Sequence, residues 1–165
     1  MTNGAIIIEG HVQGLSNTRS LGESGVPVVV LDTGNCVAKH SRYCQGFYKC
    51  PQYDIDDLAD FLVTLAKAKG LKGWLLLPSN DHAVLTISQN LKKLEEYFKA
   101  ITPSLEIVEN IYDKSRLLNI AQRVGVPTPS TYYAQDSGIR NFSLSFPVLT
   151  RGRFGLDFYQ ATGRK

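Results

Sequence analysis

Cysteine is scarce and badly spaced for either of its structural uses. The chain of 165 residues holds three, Cys36, Cys44 and Cys50, with no C-x-x-C pair, so neither a disulfide framework nor a structural zinc site is expected. Long apolar runs are missing as well. Nothing approaches the ~20 residues that cross a bilayer. The apolar stretch after the opening Met-Thr-Asn-Gly is four residues long, too short for a signal-peptide core. The formal net charge is +3 with no clustered lysines and arginines, which argues against nucleic acid or a membrane surface as partner. Three scattered histidines do not make a metal site. Hydrophobic residues at 43% and charged residues at 20% are ordinary for a globular domain. Reduced thiols in the cytoplasm are the expectation.

The signatures of nucleotide loops are missing too, although residues 6–32 (IIIEGHVQGLSNTRSLGESGVPVVVLD) have their outline. A dinucleotide fingerprint needs G-x-G-x-x-G, so that the backbone can touch pyrophosphate at a helix N-terminus. Here His11, Val12 and Gln13 separate Gly10 from Gly14, and the remaining glycines are absent. No lysine follows Gly14, as a phosphate loop would require. Asp32, closing the second apolar run, is the one feature placed for a ribose. Two further readings stay open. One is a tight strand-to-helix turn in which glycine permits close backbone approach. The other is a loop whose exposed amides, with Arg19, hold a small acidic substrate.

What is present is periodicity. Residues 5–9 and 27–31 are short, rich in β-branched residues and, Glu9 apart, apolar, the pattern of strands buried on both faces of a parallel sheet. Residues 16–25 suit a helix between them, with Ser16 or Asn17 as N-cap and Gly25 as its stop. A weaker strand is expected over residues 46–49. From Asp54, the residues Ile55, Leu58, Phe61, Leu62 and Leu65 share one helical face, acids leading and Lys67 and Lys69 trailing, which suits the helix dipole. Residues 73–77 (GWLLL) are the next strand. Val84, Leu85, Ile87, Leu91, Leu94 and Phe98 have helical spacing in two segments, and a fifth strand is expected over residues 105–108. The order β-α-β-β-α-β-α-β predicts an open, mainly parallel α/β sheet with helices on both faces.

From Asp113 the organisation changes. A capped helix is expected with Leu117, Leu118, Ala121 and Val124 inward, then Gly125 as its stop and a proline-stiffened exit. A strand is expected over residues 147–150, and the chain is expected to stop inside a second domain.

Several separated segments, taken together, resemble the ATP-grasp ligases. GLSNTRSLGESGVPVVVLD is similar to the small-residue loop and R-S-L-G-x-x-G-x-x-V that open many of them. SRYC at residues 41–44 resembles their S-R-Y element, and LLLPSNDH resembles a strand ending in P-x-x-D/E. DKSRLLNIAQRVGVPTPST closely resembles their D-K…A-x-x-x-G-V-P-x-P-x-T linker, and FPVLTR falls where they carry F-P-V-[IV]-[LIV]-K-P. The branch resembled is that of the carbamoyl-phosphate synthase large subunit and D-aspartate ligase. The resemblance implies a Rossmann-like pre-ATP-grasp domain over residues 1–110 and the incomplete start of an ATP-grasp domain over residues 111–165. It implies ATP and Mg²⁺ as cofactors, and carboxylate and amine substrates joined through an acyl phosphate.

By the same resemblance, Lys114 and Arg151 bind ATP phosphates. Arginine stands at 151 where lysine is usual and Gly152 where proline is usual, but a guanidinium fork also suits phosphate. Gly10, His11, Gly14, Ser16, Asn17, Arg19, Asn80 and Asp81 are the candidates for a substrate cleft. Asn80 or Asp81 would alternatively cap a helix. Tyr43, Tyr48, Tyr53 and Trp74 are read as core or pocket wall. No catalytic residue is assigned, the acidic Mg²⁺ ligands are expected after Lys165, and residues 1–165 alone are not expected to catalyse. The contrasting expectations are a Rossmann-like module that binds a nucleotide or small acid without catalysis, and a scaffold that forms a homodimer.

Overall fold

Three runs of branched apolar residues set the centre of the molecule. The structure, a computed structural model, describes residues 3–53, 55–133 and 147–154. It divides into two compact units, Met1–Val108 and Glu109–Lys165. In the first, β1 (Ala5–Ile8), β2 (Val28–Asp32), β3 (Cys44–Lys49), β4 (Leu75–Pro78) and β5 (Lys99–Ala100) form one sheet. The strand order is β3-β2-β1-β4-β5, and every pairing is parallel. Ile6 of the central strand sits opposite Val29 on one side and Leu76 on the other. Every residue of β1 and β2 is buried.

Burial on both faces requires helices on both faces. Successive strand residues point to opposite sides, so Ile7, Val28 and Val30 form one layer with Leu15 and Leu21 of α1 (Val12–Glu23) and with Ala38 of a short 3₁₀ turn, Ala38–His40. Ile6, Ile8, Val29, Leu31 and Leu76 form the other. They pack against Leu58, Leu62 and Leu65 of α2 (Ile55–Lys69), Ala83 and Ile87 of α3 (Asp81–Gln89), and Leu94 of α4 (Leu91–Glu95). Each such side chain removed from water is worth roughly 1.5–3 kcal/mol, so these two layers dominate the stability of the first unit.

The element order matches the sequence reading, with two corrections. Residues 105–108 are not a strand. They open helix α5 (Leu105–Tyr112), and the fifth strand is the pair Lys99–Ala100. A four-residue window hides the helical period: Leu105 and Val108 turn inward while Ile107 and Ile111 are exposed. The first helix also begins at Val12, four residues before Ser16, and its N-cap is His11. Ser16 and Asn17 therefore lie within α1. The early start depends on Gly14, where a Cβ would stand 2.0 Å from the carbonyl oxygen of Glu9.

The second unit is built differently. Asp113 caps α6 (Lys114–Arg123), and Gly125 follows at φ +76°, a left-handed conformation that suits glycine at a helix stop. Among the described residues α6 buries none of its own. Leu117 and Val124, expected inward, are exposed. The expected strand over 147–150 is also absent among the described residues. Val148 and Leu149 are exposed, and no ladder pairs them with another described residue.

Candidate functional site

Strand order locates the first candidate region. The chain leaves β1 towards β2 on one side and enters β4 on the other, so the carboxyl ends of β1 and β4 flank a topological switch. Open α/β sheets bind ligands at such points. Glu9, Gly10 and His11 lead from β1 into α1, and Ser79 and Asn80 lead from β4 into α3. Asn17 Nδ2 donates to Ser79 Oγ at 3.3 Å and links the two sides.

Gly10 is occupied from within. Its N–H donates to Asp32 Oδ2 at 2.8 Å, and its carbonyl accepts from Ala38 N–H at 2.9 Å. A Cβ here would come 2.4 Å from Cys36 Sγ, which explains the glycine. Asp32 Oδ1 accepts from Gly34 N–H at 3.0 Å. Asp32 therefore ties two loops together and is 3% exposed, rather than presented to a ribose. The loop does not offer Gly10's amide to an acid, and Gly14 lies beneath it against Glu9. His11 is exposed and caps α1 through its backbone alone, its carbonyl accepting from Leu15 N–H. Ser16 and Arg19 stand on the exposed side of α1. Asn80 caps α3, Oδ1 accepting from Ala83 N–H at 2.7 Å, with exposed Asp81 in the first turn. The structure thus places Gly10, His11, Asn80 and Asp81 on the turns at the switch, with Asn17 linked to it through Ser79 and Ser16 and Arg19 exposed further along α1.

Sequence reasoning missed Glu9 and Ser79. Glu9 is the non-glycine residue with positive φ, +74°, among the described residues, a conformation that side chains other than Asn and Asp seldom adopt. Nothing in the sequence marks it beyond its place before Gly10. Tyr53, read as core or pocket wall, packs against the core. Burial, then Asp32, Cys50 and Glu9, push its hydroxyl well above the usual phenol range, while a hydrogen bond with Asn80 works in the opposite direction. Burial and then Asp32 push the Cys50 thiol up to about 11. Both groups stay protonated at neutral pH. They can donate hydrogen bonds here but are poor nucleophiles.

The second region lies wholly in the second unit and centres on Asp113. This carboxylate is buried. Oδ1 accepts from Ser115 N–H at 2.9 Å, Ser115 Oγ at 2.8 Å and Arg116 N–H at 3.4 Å. Arg153 closes on it from 40 residues away, Nε lying 2.9 Å from Oδ1 and 3.0 Å from Oδ2 while a terminal nitrogen also meets Oδ2. Arg153 first, and the Ser115 and Arg116 hydrogen bonds after it, hold the Asp113 carboxyl well below the usual carboxylate range against the opposing effect of burial. Lys114, half-buried, directs both its N–H and its Nζ to the Arg153 carbonyl, each at 3.4 Å. Arg151 is exposed, two residues before Arg153.

Among the described residues no three His, Cys, Asp or Glu side chains gather to hold a metal ion. No described helix is long and apolar enough to cross a membrane. The shallow depression lined by Gln89, Asn90, Lys92, Lys93 and Glu96 contains none of the candidate residues.

No described protein family and no curated protein matches the sequence, but solved structures match the fold. It is the α/β fold of the N-terminal domain of ATP-grasp ligases. N5-carboxyaminoimidazole ribonucleotide synthetase from Thermotoga maritima shares it with a TM-score of 0.64 and 24% identity, over 93% of this chain and 39% of that one. L-amino acid ligase from Bacillus licheniformis shares it with a TM-score of 0.63 and 15% identity, over 89% and 35%. The biotin carboxylase domain of Hydrogenobacter thermophilus 2-oxoglutarate carboxylase, solved with MgADP and bicarbonate, shares it with a TM-score of 0.52 and 19% identity, over 78% and 29%. The chain thus covers less than half the length of each of these three structures.

Proposed function

We propose that this chain is the N-terminal part of an ATP-grasp ligase that joins a carboxylate to an amine. In that reaction a carboxylate oxygen attacks the γ-phosphorus of ATP, the bond to the β-phosphate oxygen breaks, and ADP leaves. The amine then attacks the acyl carbon of the acyl phosphate, and inorganic phosphate departs. Such chemistry consists largely of holding charged groups in line. Lys114 and Arg151 are the cations proposed to hold the phosphates, and the switch beside Gly10, His11, Asn17 and Asn80 is the proposed seat of the carboxylate substrate. Mg²⁺, when bound, would supply positive charge to the phosphates; the carboxylase domain named above was solved with MgADP. One observation carries the reading: a linker that resembles the family's D-K…G-V-P-x-P motif follows a five-stranded parallel sheet that has its N-terminal fold.

The test is substrate-dependent ADP release by the full-length protein over a panel of carboxylates and amines, with Arg151→Ala as control. ADP release that needs both substrates and collapses in the variant supports the proposal. No ADP release with any pair, together with no binding of ATP, overturns it.

A further inference from the structure

Two segments 40 residues apart meet residue by residue in the second unit. Tyr112 stacks on Phe154, with ring centroids 5.7 Å apart and planes inclined by 27°. Asp113 takes the Arg153 guanidinium on both oxygens. Lys114 reaches the Arg153 carbonyl through both its backbone N–H and its ammonium. The Arg153 side chain also lies over the Phe154 ring, 5.4 Å from its centre. Asp113 can cap α6 through Ser115 and Arg116 alone. The Arg153 contacts therefore do something the cap does not require: they hold the segment carrying Arg151 against the residue carrying the Lys114 ammonium.

We propose that Arg153 is a positioning residue, whose fork on Asp113 and carbonyl on Lys114 fix the Lys114 ammonium beside the Arg151 segment so that one polyphosphate meets both cations. This rests on the ligase reading above, which assigns the phosphates to Lys114 and Arg151. The geometry is restrictive. Arg151 is two residues from Arg153, so its Cα lies within roughly 7 Å of the residue whose carbonyl Lys114 touches. A planar guanidinium meets a carboxylate with two parallel bonds and so sets an angle as well as a distance. A lysine at 153 would keep the charge and lose the angle.

The experiment is calorimetric titration of the full-length protein with the β,γ-imido analogue of ATP and Mg²⁺. It compares the wild type with Arg153→Ala, Lys114→Ala and the double variant, with melting temperature recorded alongside. Arg153→Ala is expected to weaken binding about tenfold, the scale of one lost charge-assisted hydrogen bond. In the Lys114→Ala background the same substitution should change affinity less than twofold, because the group it positions is gone. Arg153→Lys should fall between wild type and Arg153→Ala, and carries the test if Arg153→Ala does not fold. If Lys114→Ala abolishes binding while Arg153→Ala leaves it unchanged, the positioning role is overturned and the ligase reading stands. If the two losses simply add, Arg153 stabilises without positioning and the inference falls. If the wild type binds no nucleotide, the inference falls together with the reading it rests on.

Discussion

The two units hold their candidate groups by opposite means. At the switch of the first unit, loop geometry follows from apolar burial: β1 and β2 are wholly buried, and Asp32 and the Gly10 amide are tied beneath the surface. In the second unit α6 buries nothing among the described residues, and its first turn is set by one carboxylate with five hydrogen-bond donors, Ser115 N–H and Oγ, Arg116 N–H, and two Arg153 nitrogens, and the Arg116 guanidinium 3.5 Å away. Burial gives a frame that tolerates acid and salt. A polar clasp gives one that answers to them. The difference suits the proposed division of work, a floor held by apolar packing for a small substrate and a grip held by charge for a highly charged one.

The strongest way to test the contrast is to damage the frame. Leu62→Ala should destabilise the first unit by about 2–5 kcal/mol in urea unfolding, while amide exchange in the first turn of α6 stays unchanged. Exchange rising in step there would show that the contrast is false. Asp32→Ala leaves the buried Gly10 N–H without its acceptor, and should cost about 1–3 kcal/mol. Its mark would be faster exchange at Gly10 and Gly34.

Asp113→Ala should cost about 0.5–2 kcal/mol as a lost cap, confined to α6 by amide exchange. The pH dependence has a definite sign. The folded carboxyl is held below its unfolded value near about 4, so its contribution is complete above that value and is lost as pH falls through the lower folded one. Protection of the Ser115 and Arg116 amides should therefore hold at neutral pH and decline below about pH 4. Loss of that protection while the carboxyl is still ionised would rule out the clasp as its source. The smallest expected effect is at the exposed Asp60–Lys93 pair. Asp60→Ala should change stability by less than about 0.5 kcal/mol.

What the sequence disclosed follows the same division. Ile6, Ile7, Ile8 and residues 28–31 announce buried strands because apolar burial leaves an unbroken run of letters. The helix of residues 55–69 is legible from its 3.6-residue period, and the Asp113 cap from its place before a periodic stretch. The first turn of α1 was not legible. It depends on Gly14 fitting against the Glu9 carbonyl, a contact between backbone atoms that no side-chain pattern encodes. Residues 105–108 misled because four apolar-rich letters fit a strand and a helix equally well. Arg153 went unread for a plainer reason: its partner is 40 residues away, and local spacing carries no sign of such a pairing.

The two loops that meet at Asp32 also limit how this position can drift. Both of its partners are N–H groups, one on each carboxylate oxygen. An amide side chain of the same shape would turn an NH₂ towards one of them and set donor against donor, and a longer acid would have to back away from the buried Gly10 N–H. An acceptor at both tips and of this length meets both N–H groups, so a change at residue 32 leaves at least one of the turns at Gly10 and Gly34 without its partner.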